Sequence, residues 1–313
     1  MTYLLAPFVE GTVTVQDGRR IGFAEFGDPH GRAILWMHGT PGARRQIPQA
    51  ARLAAAEMGI RLIGVDRPGV GHSTPHLYPA IATIADDIEE LVDRLGIGEF
   101  GMLGLSGGGP YVLACAAAMP DRMRVAGVLG GVAPAVGPDA ADGGVVALAA
   151  TFAPVLSALR VPLSWLLASF FWSTRPVAVP AILLYARFSP EGDRKVFARP
   201  EMRAMFLDDL LTGGRPGLRA PVFDVVLFGR HWGFDLDDVQ VPVHWWHGDA
   251  DHIVPMAHGR HVVGRLPEAH FYTRHGESHL GTLGAAEDIL GTLLEAWDRR
   301  AAQRVSRPRR QGP

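Results

Sequence analysis

Residues 100–111 read Phe-Gly-Met-Leu-Gly-Leu-Ser-Gly-Gly-Gly-Pro-Tyr, a short apolar run that ends in a glycine-flanked serine and opens into an alanine-rich stretch. The run Phe100–Leu105 predicts a buried strand, and Pro110–Met119 a helix. Between them, Gly104-Leu105-Ser106-Gly107-Gly108 fits G-x-S-x-G, the pattern of a strand that reverses into a helix within two residues. Such a turn forces the serine into unfavourable backbone geometry, and neighbouring Cβ atoms would clash, so glycines on both sides relieve the crowding. Ser106 would then stand at a helix N-terminus, whose free N–H groups and positive dipole end favour a developing negative charge.

Working outward, strands and helices alternate. Val9–Gln16, the turn signal Asp17-Gly18 and Arg20–Phe26 predict an N-terminal hairpin. Ala33–His38, Arg61–Asp66 and Phe100–Leu105 predict strands buried on both faces, separated by helices over Arg44–Met58 and Thr83–Leu95. Arg124–Leu129 is a further strand, and there the rhythm stops. From Ala133 to His231 the chain is helical and punctuated by proline. Val241–His247 resumes the sheet, followed by a helix over Pro255–Leu266, a short strand over Ala269–Thr273 and a closing helix over Leu280–Asp298. The fold class is therefore α/β: a mostly parallel, doubly wound sheet with an N-terminal hairpin and a helical insertion. The expected organisation is a core over 1–132 and 232–300, an insertion over 133–231 and a flexible basic tail over 301–313.

Composition narrows the class. The 313 residues are 48% hydrophobic and 20% charged with a formal net charge of −2, which supports a sizeable core and gives no electrostatic case for nucleic acid. The basic run Arg299–Arg310 reads as a solvated tail. Cys115 is the single cysteine, so no intrachain disulfide can form, and its apolar surroundings predict a buried inert thiol. The start of the chain lacks a secretory signal, and Pro154, Arg160 and Pro162 break the apolar stretch Val145–Trp172, so stable membrane insertion is not expected. These features predict a soluble cytoplasmic protein. Nothing in the sequence specifies an oligomeric state.

A serine hydroxyl is a weak nucleophile at neutral pH and requires a base within hydrogen-bond reach and a third group to orient that base. Both types occur after the insertion. Asp249 and Asp251 follow the strand ending at His247, where aspartates also suit Asx turns. His275 and His279 follow the last strand. The order serine, acid, histidine matches one of the known triad arrangements. Metal chemistry is not indicated: His244 and His247 sit at odd spacing on one strand, hence on opposite faces, and no H-E-x-x-H occurs. Gly69-Val70-Gly71 lacks the third glycine of a dinucleotide fingerprint, and Gly104–Gly109 lacks the Lys-Ser/Thr of a P-loop. No cofactor is expected.

The chain resembles the α/β-hydrolase superfamily, in its serine-nucleophile, capped-esterase branch, across essentially everything outside the insertion and tail. His38-Gly39-Thr40-Pro41-Gly42 is similar to that family's oxyanion loop, and Asp66–Ser73 to its glycine-rich turn. The Ser106 elbow and the Gly248-Asp249-Ala250-Asp251 loop complete the match. The resemblance implies Ser106 as nucleophile, His279 as base and Asp251 as acid, with Asp249 and His275 as the alternatives. Relatives more often carry glycine where Ser278 precedes His279. The backbone N–H groups of Thr40 and Gly107 would form the oxyanion hole, and losing one such donor costs about 3 kcal/mol of transition-state stabilisation. His38 would pack below the oxyanion loop, and His72 and Ser73 would shape the turn. Ser106 argues against the epoxide- and halide-processing relatives, which use an aspartate nucleophile.

The insertion would cap Ser106 and supply most of the substrate pocket. Val145–Leu159, Leu163–Trp172 and Val177–Tyr185 are strongly apolar, with Phe170, Phe171 and Trp172 together, which suits core packing, an acyl or aryl pocket, or contact with lipid or a second subunit. The expected activity is carboxylic-ester hydrolysis of a small to medium apolar ester through an acyl-enzyme. Amidase, aminopeptidase and carbon–carbon bond hydrolase activities suit the same triad, and a non-catalytic ligand-binding protein could share the fold.

Overall fold

A computed structural model describes residues 4–141, 151–152, 154–174, 180, 184, 187–213 and 219–306. Eight strands form one sheet in the order β1-β2-β4-β3-β5-β6-β7-β8. They are β1 Val9–Thr14, β2 Arg20–Gly27, β3 Arg32–Met37, β4 Ile60–Val65, β5 Phe100–Leu105, β6 Met123–Leu129, β7 Val243–Gly248 and β8 Ala269–Arg274. The hairpin β1–β2 is antiparallel, and β2 also runs antiparallel to β4. All other neighbours are parallel. The central strands β3 to β7 are buried almost throughout, which is why they read as continuous apolar runs rather than alternating ones.

Helices cover both faces. On one, α1 (Gln49–Glu57) and the long C-terminal helix Ala286–Ser306 pack Ala51, Ala55, Leu290, Leu293 and Trp297 against Ile34, Trp36 and Leu103. On the other, α2 (Ile84–Arg94) and α3 (Gly109–Ala118) pack Ile88, Leu91, Val112 and Cys115 against Leu35, Met102 and Val128. Burial pushes the Cys115 thiol well up, keeping it protonated. The remaining helices are α4 (Arg160–Thr174), α5 (Glu191–Ala198), α6 (Pro200–Gly213), α7 (Ala220–Phe228), α8 (Met256–Val263) and α9 (Ala286–Ser306). Helices α4 to α7 lie between β6 and β7, and no strand occurs there among the described residues.

Two helix boundaries differ from expectation. The first helix was expected over Arg44–Met58 but starts at Gln49. Pro48 disfavours helical geometry in the residue before it, and the Arg44 amide and guanidinium are both taken by the Asp66 carboxylate, at 2.8 and 2.7 Å. The closing helix begins at Ala286, after a 3-10 turn over Gly281–Ala285, and continues to Ser306. It thus runs through 301–306 of the stretch expected as tail; 307–313 lie outside the described residues. Within the apolar part of the insertion, Phe152, Val155, Val161, Trp165 and Leu166 are exposed. The side chains of Phe170, Phe171 and Trp172, and the stretches 145–150 and 177–179, lie outside the described residues. No helix among the described residues is long and apolar enough to cross a membrane.

The topology sets the place of the site. Strand β3 lies between β4 and β5, so the chain turns to opposite sides of the sheet from this point, a switch of the kind beside which open α/β sheets bind ligands at the carboxyl ends of their strands. The segments around Thr40, Asp66, Ser106, Asp251 and His279 leave the carboxyl ends of β3, β4, β5, β7 and β8 respectively.

Candidate active site

Strand β5 ends at Leu105 in extended geometry, and Ser106 then takes φ +50°, the one positive φ outside glycine among the described residues. A 3-10 turn over Ser106–Gly108 leads directly into α3. The glycines are there because the backbones touch. A Cβ on Gly104 would lie 2.8 Å from the carbonyl of Gly108, and one on Gly108 would lie 2.4 Å from the carbonyl oxygen of Met37 on the adjacent strand. One on Gly107 would meet Thr40 Oγ1 at 2.3 Å, so the loop after β3 and the elbow are in direct contact. The two expected oxyanion donors, Thr40 and Gly107, therefore lie against each other, Gly107 being the residue after Ser106.

Three residues from three strand ends form one hydrogen-bond chain. Ser106 Oγ lies 2.9 Å from His279 Nε2, and His279 Nδ1 lies 2.8 Å from Asp251 Oδ2. Because the carboxylate can only accept, Nδ1 carries the proton and Nε2 is free to receive one from the serine hydroxyl. Asp251 is itself fixed: its Oδ1 accepts the N–H groups of Ile253 and Val254, both at 2.9 Å. Its second neighbour is His247, whose Nε2 is 3.3 Å from Oδ2. The Trp245 indole donates to His247 Nδ1 at 3.1 Å, so the proton of His247 resides on Nε2, facing the Val254 carbonyl and Asp251.

Burial alone would raise the pKa of Asp251, but the hydrogen bonds from His247, His279 and the Val254 N–H together hold it well below the usual carboxylate range. A carboxylate depressed in the folded state contributes stability that is complete above its unfolded value and is lost as the pH falls through its folded value. The stability difference between wild type and Asp251→Asn, measured by urea unfolding, should therefore hold steady above about pH 4 and shrink below it.

The alternative acid and base pair with each other. Asp249 Oδ2 lies 2.9 Å from His275 Nδ1, and its Oδ1 accepts the Gly276 N–H at 2.8 Å. The His275 side chain is 84% exposed, on the surface rather than at Ser106. Other histidines fall where expected. His38 is buried, donating from Nδ1 to the Gly39 carbonyl and accepting the Arg67 N–H on Nε2; burial and then Arg67 push its pKa well down, so it is neutral. Ser73 donates to the Asp66 carbonyl and accepts the Gly22 N–H, closing the glycine-rich turn, while the His72 N–H donates to Asp66. His244 faces Tyr272, on the opposite side of β7 from His247.

Sequence reasoning missed a buried polar network beside Thr40. Asp224, on the otherwise apolar helix α7, accepts the hydroxyls of Thr40 and Tyr111, each at 2.6 Å, and two N–H groups of Arg67 at 2.7 and 3.2 Å. Arg67 also donates to the carbonyls of His38 and Gly39 and to Thr40 Oγ1, and lies over the Tyr111 ring. The loop bearing Thr40 is thus tied to α7 and to α3 by one carboxylate. A single acid in the apolar run Ala220–Phe228 is the signal that could have found it, since a buried carboxylate requires a cation or several donors. Asp224→Ala leaves the Arg67 guanidinium buried and unpaired. It should cost about 3–5 kcal/mol of folding stability in denaturant titration, with Asp224→Asn costing less because the amide oxygen still accepts.

A family model described as alpha/beta hydrolase fold matches residues 32–156. Among curated proteins, the proline iminopeptidase of Xylella fastidiosa (strain 9a5c) is 32% identical over 121 residues, 38% of this chain and 38% of that protein. That of Neisseria gonorrhoeae is 31% identical over 121 residues, with the same shares. The chain thus spans under two-fifths of the length of these relatives. Among solved structures, a thermophilic esterase from Thermogutta terrifontis superposes with a TM-score of 0.64 at 20% identity, covering 93% of this chain and 99% of that one. The epoxide hydrolase CorEH gives 0.65 at 18%, covering 93% and 99%. At these identities the likeness is one of fold.

Proposed function

We propose that this chain, which has the α/β-hydrolase fold, is a serine hydrolase that cleaves carboxylic esters with small to medium apolar acyl groups through an acyl-enzyme. The observation that carries this reading is the unbroken chain Ser106–His279–Asp251, with Ser106 at φ +50° just past the carboxyl end of β5. Ser106 Oγ attacks the acyl carbonyl while its proton passes to His279 Nε2. Asp251 holds the imidazole and stabilises the imidazolium. The Thr40 and Gly107 N–H groups receive the oxyanion. Collapse breaks the bond to the leaving oxygen, which takes the proton from His279. Water then attacks the acyl-enzyme, losing its proton to His279; the bond between the acyl carbon and Ser106 Oγ breaks, Oγ takes that proton back from His279, and the carboxylic acid leaves. We read 133–231 as a cap whose apolar side chains contact the acyl group, and a small molecule, not nucleic acid, as the substrate.

A second reading is favoured by the curated relatives, which are named proline iminopeptidases. An aminopeptidase recognises a protonated amine, which requires a free carboxylate near the nucleophile. Two of the three buried acids among the described residues of the insertion, Asp193 and Asp224, are already taken, which supports the ester reading. Asp224 is neutralised by Arg67. Asp209 gives one oxygen to the Ala43 N–H, and burial pushes its pKa well above the usual carboxylate range. Asp193 faces Ser278 and Leu280. The test compares p-nitrophenyl acetate, butyrate and octanoate with prolyl p-nitroanilide, alongside fluorophosphonate labelling. Ester turnover with label on Ser106 is the expected result. Faster turnover of the prolyl anilide would favour the second reading, and absence of both label and turnover would overturn the serine-hydrolase reading.

A further inference from the structure

Helix α5 approaches the His279 turn more closely than any side chain but hydrogen would permit. A Cβ on Gly192 would lie 2.5 Å from the Ser278 nitrogen and 2.7 Å from its Oγ. That contact brings the next residue, Asp193, into the turn. Asp193 is 1% exposed, and its Oδ1 accepts both the Ser278 hydroxyl at 2.5 Å and the Leu280 N–H at 2.8 Å. The two donors are the immediate neighbours of His279. On its other side the turn is held by the loop carrying the acid, where the Ala250 N–H donates to the Glu277 carbonyl at 3.0 Å. His279 therefore sits on a short stretch of backbone gripped from both directions, once by the core and once by the segment between β6 and β7.

We infer that Asp193 is a positioning residue for the base: by gripping Ser278 and Leu280 it fixes the backbone from which His279 reaches Ser106. The inference rests on the serine-hydrolase reading, and it gives the insertion a second duty besides contacting substrate. The requirement is geometric. His279 must hold 2.9 Å to Ser106 Oγ and 2.8 Å to Asp251 at the same time, and both contacts depend on where the Cα of residue 279 stands. A displacement of about 1 Å in such an arrangement costs on the order of 100-fold in rate. The grip acts on proton transfer, not on substrate contact, so its loss should fall on kcat and spare KM. Only one carboxylate oxygen makes both contacts, so an asparagine, whose amide oxygen still accepts though more weakly, should retain the grip.

The experiment measures Asp193→Ala and Asp193→Asn against wild type in ester turnover and in amide hydrogen exchange of the segment spanning 275–283. The expected result for Asp193→Ala is a kcat lower by about 10- to 100-fold, KM within about twofold, and faster exchange in that segment. Asp193→Asn is expected to stay within about threefold of wild-type kcat with slow exchange, because the acceptor is kept. Unchanged exchange in Asp193→Ala would overturn the grip itself. Faster exchange with unchanged kcat would overturn its role in positioning the base. An equal loss in Asp193→Asn and Asp193→Ala would overturn the acceptor argument. Should Asp193→Ala fold poorly, Ser278→Ala, which removes one of the two donors while leaving Asp193 in place, should reproduce the kcat loss in part, and a wild-type value would overturn the proposal. Wild-type protein without ester turnover or Ser106 labelling would instead count against the serine-hydrolase reading, while the exchange data would still judge the grip.

Discussion

Ser106→Ala should lower kcat for p-nitrophenyl esters by roughly five to six orders of magnitude and abolish fluorophosphonate labelling, leaving only the background from oxyanion stabilisation and binding. The size follows from the hydrogen-bond chain. His279 Nε2 faces a single hydroxyl, 2.9 Å away, so with that oxygen gone the base has no nucleophile to deprotonate. Alanine inherits the positive φ of +50° and the contacts of the elbow, so the loss is expected without a large change in melting temperature. Retention of more than a few per cent of wild-type turnover would overturn the assignment.

The second large effect is a contrast between two histidines four positions apart after the last strand. His279→Ala should lower kcat by several orders of magnitude, on the scale of losing a triad member, whereas His275→Ala should leave it within about twofold. Both follow Arg274, the last residue of β8, and both have an aspartate within 3 Å, so sequence spacing alone leaves them equivalent. They differ in burial: the His279 side chain is 6% exposed and that of His275 is 84% exposed. An imidazolium formed in a dry site is stabilised by its carboxylate far more than one bathed in water. The reverse ranking in measured kcat would transfer the base to His275 and the acid to Asp249.

What the sequence made legible was local. The strand, elbow and helix around Ser106 lie within about twenty consecutive residues, and each part has its own steric reason, so they could be read before any tertiary contact was known. The order of the strands on either side of the insertion followed from the same kind of local patterning. Asp251 rather than Asp249 was implied by the resemblance alone, because local pattern leaves the two equivalent: both follow the end of β7, and each finds a histidine in the fold. Arg44–Pro48 was misread as helix for a related reason: Asp66, 22 residues further along, takes the Arg44 amide out of the helical ladder. The roles of Asp193 and Asp224 depend on distant partners, 85 and 87 residues away for Asp193 and 113–184 for Asp224, although a lone acid in the apolar run Ala220–Phe228 is a local hint for the second. Asp193 carries no local signal at all, since Glu191-Gly-Asp-Arg-Lys reads as an ordinary solvated helix start.

The separation of 173 residues between Ser106 and His279 also bears on how activity is acquired during folding. Strands β1 to β6 are complete by Leu129, and they bring the elbow and the Thr40 loop together. Asp251 and His279 arrive only when β7 and β8 have added to the edge at β6, after the whole intervening segment has been synthesised or collapsed. Contacts of such long range carry a high loop-closure cost and form late. A chain with six strands in place would therefore give most of the burial signal of the native sheet while its serine was still inert. Recovery of turnover would lag recovery of secondary structure, which makes the reaction itself a clock for the docking of the last two strands.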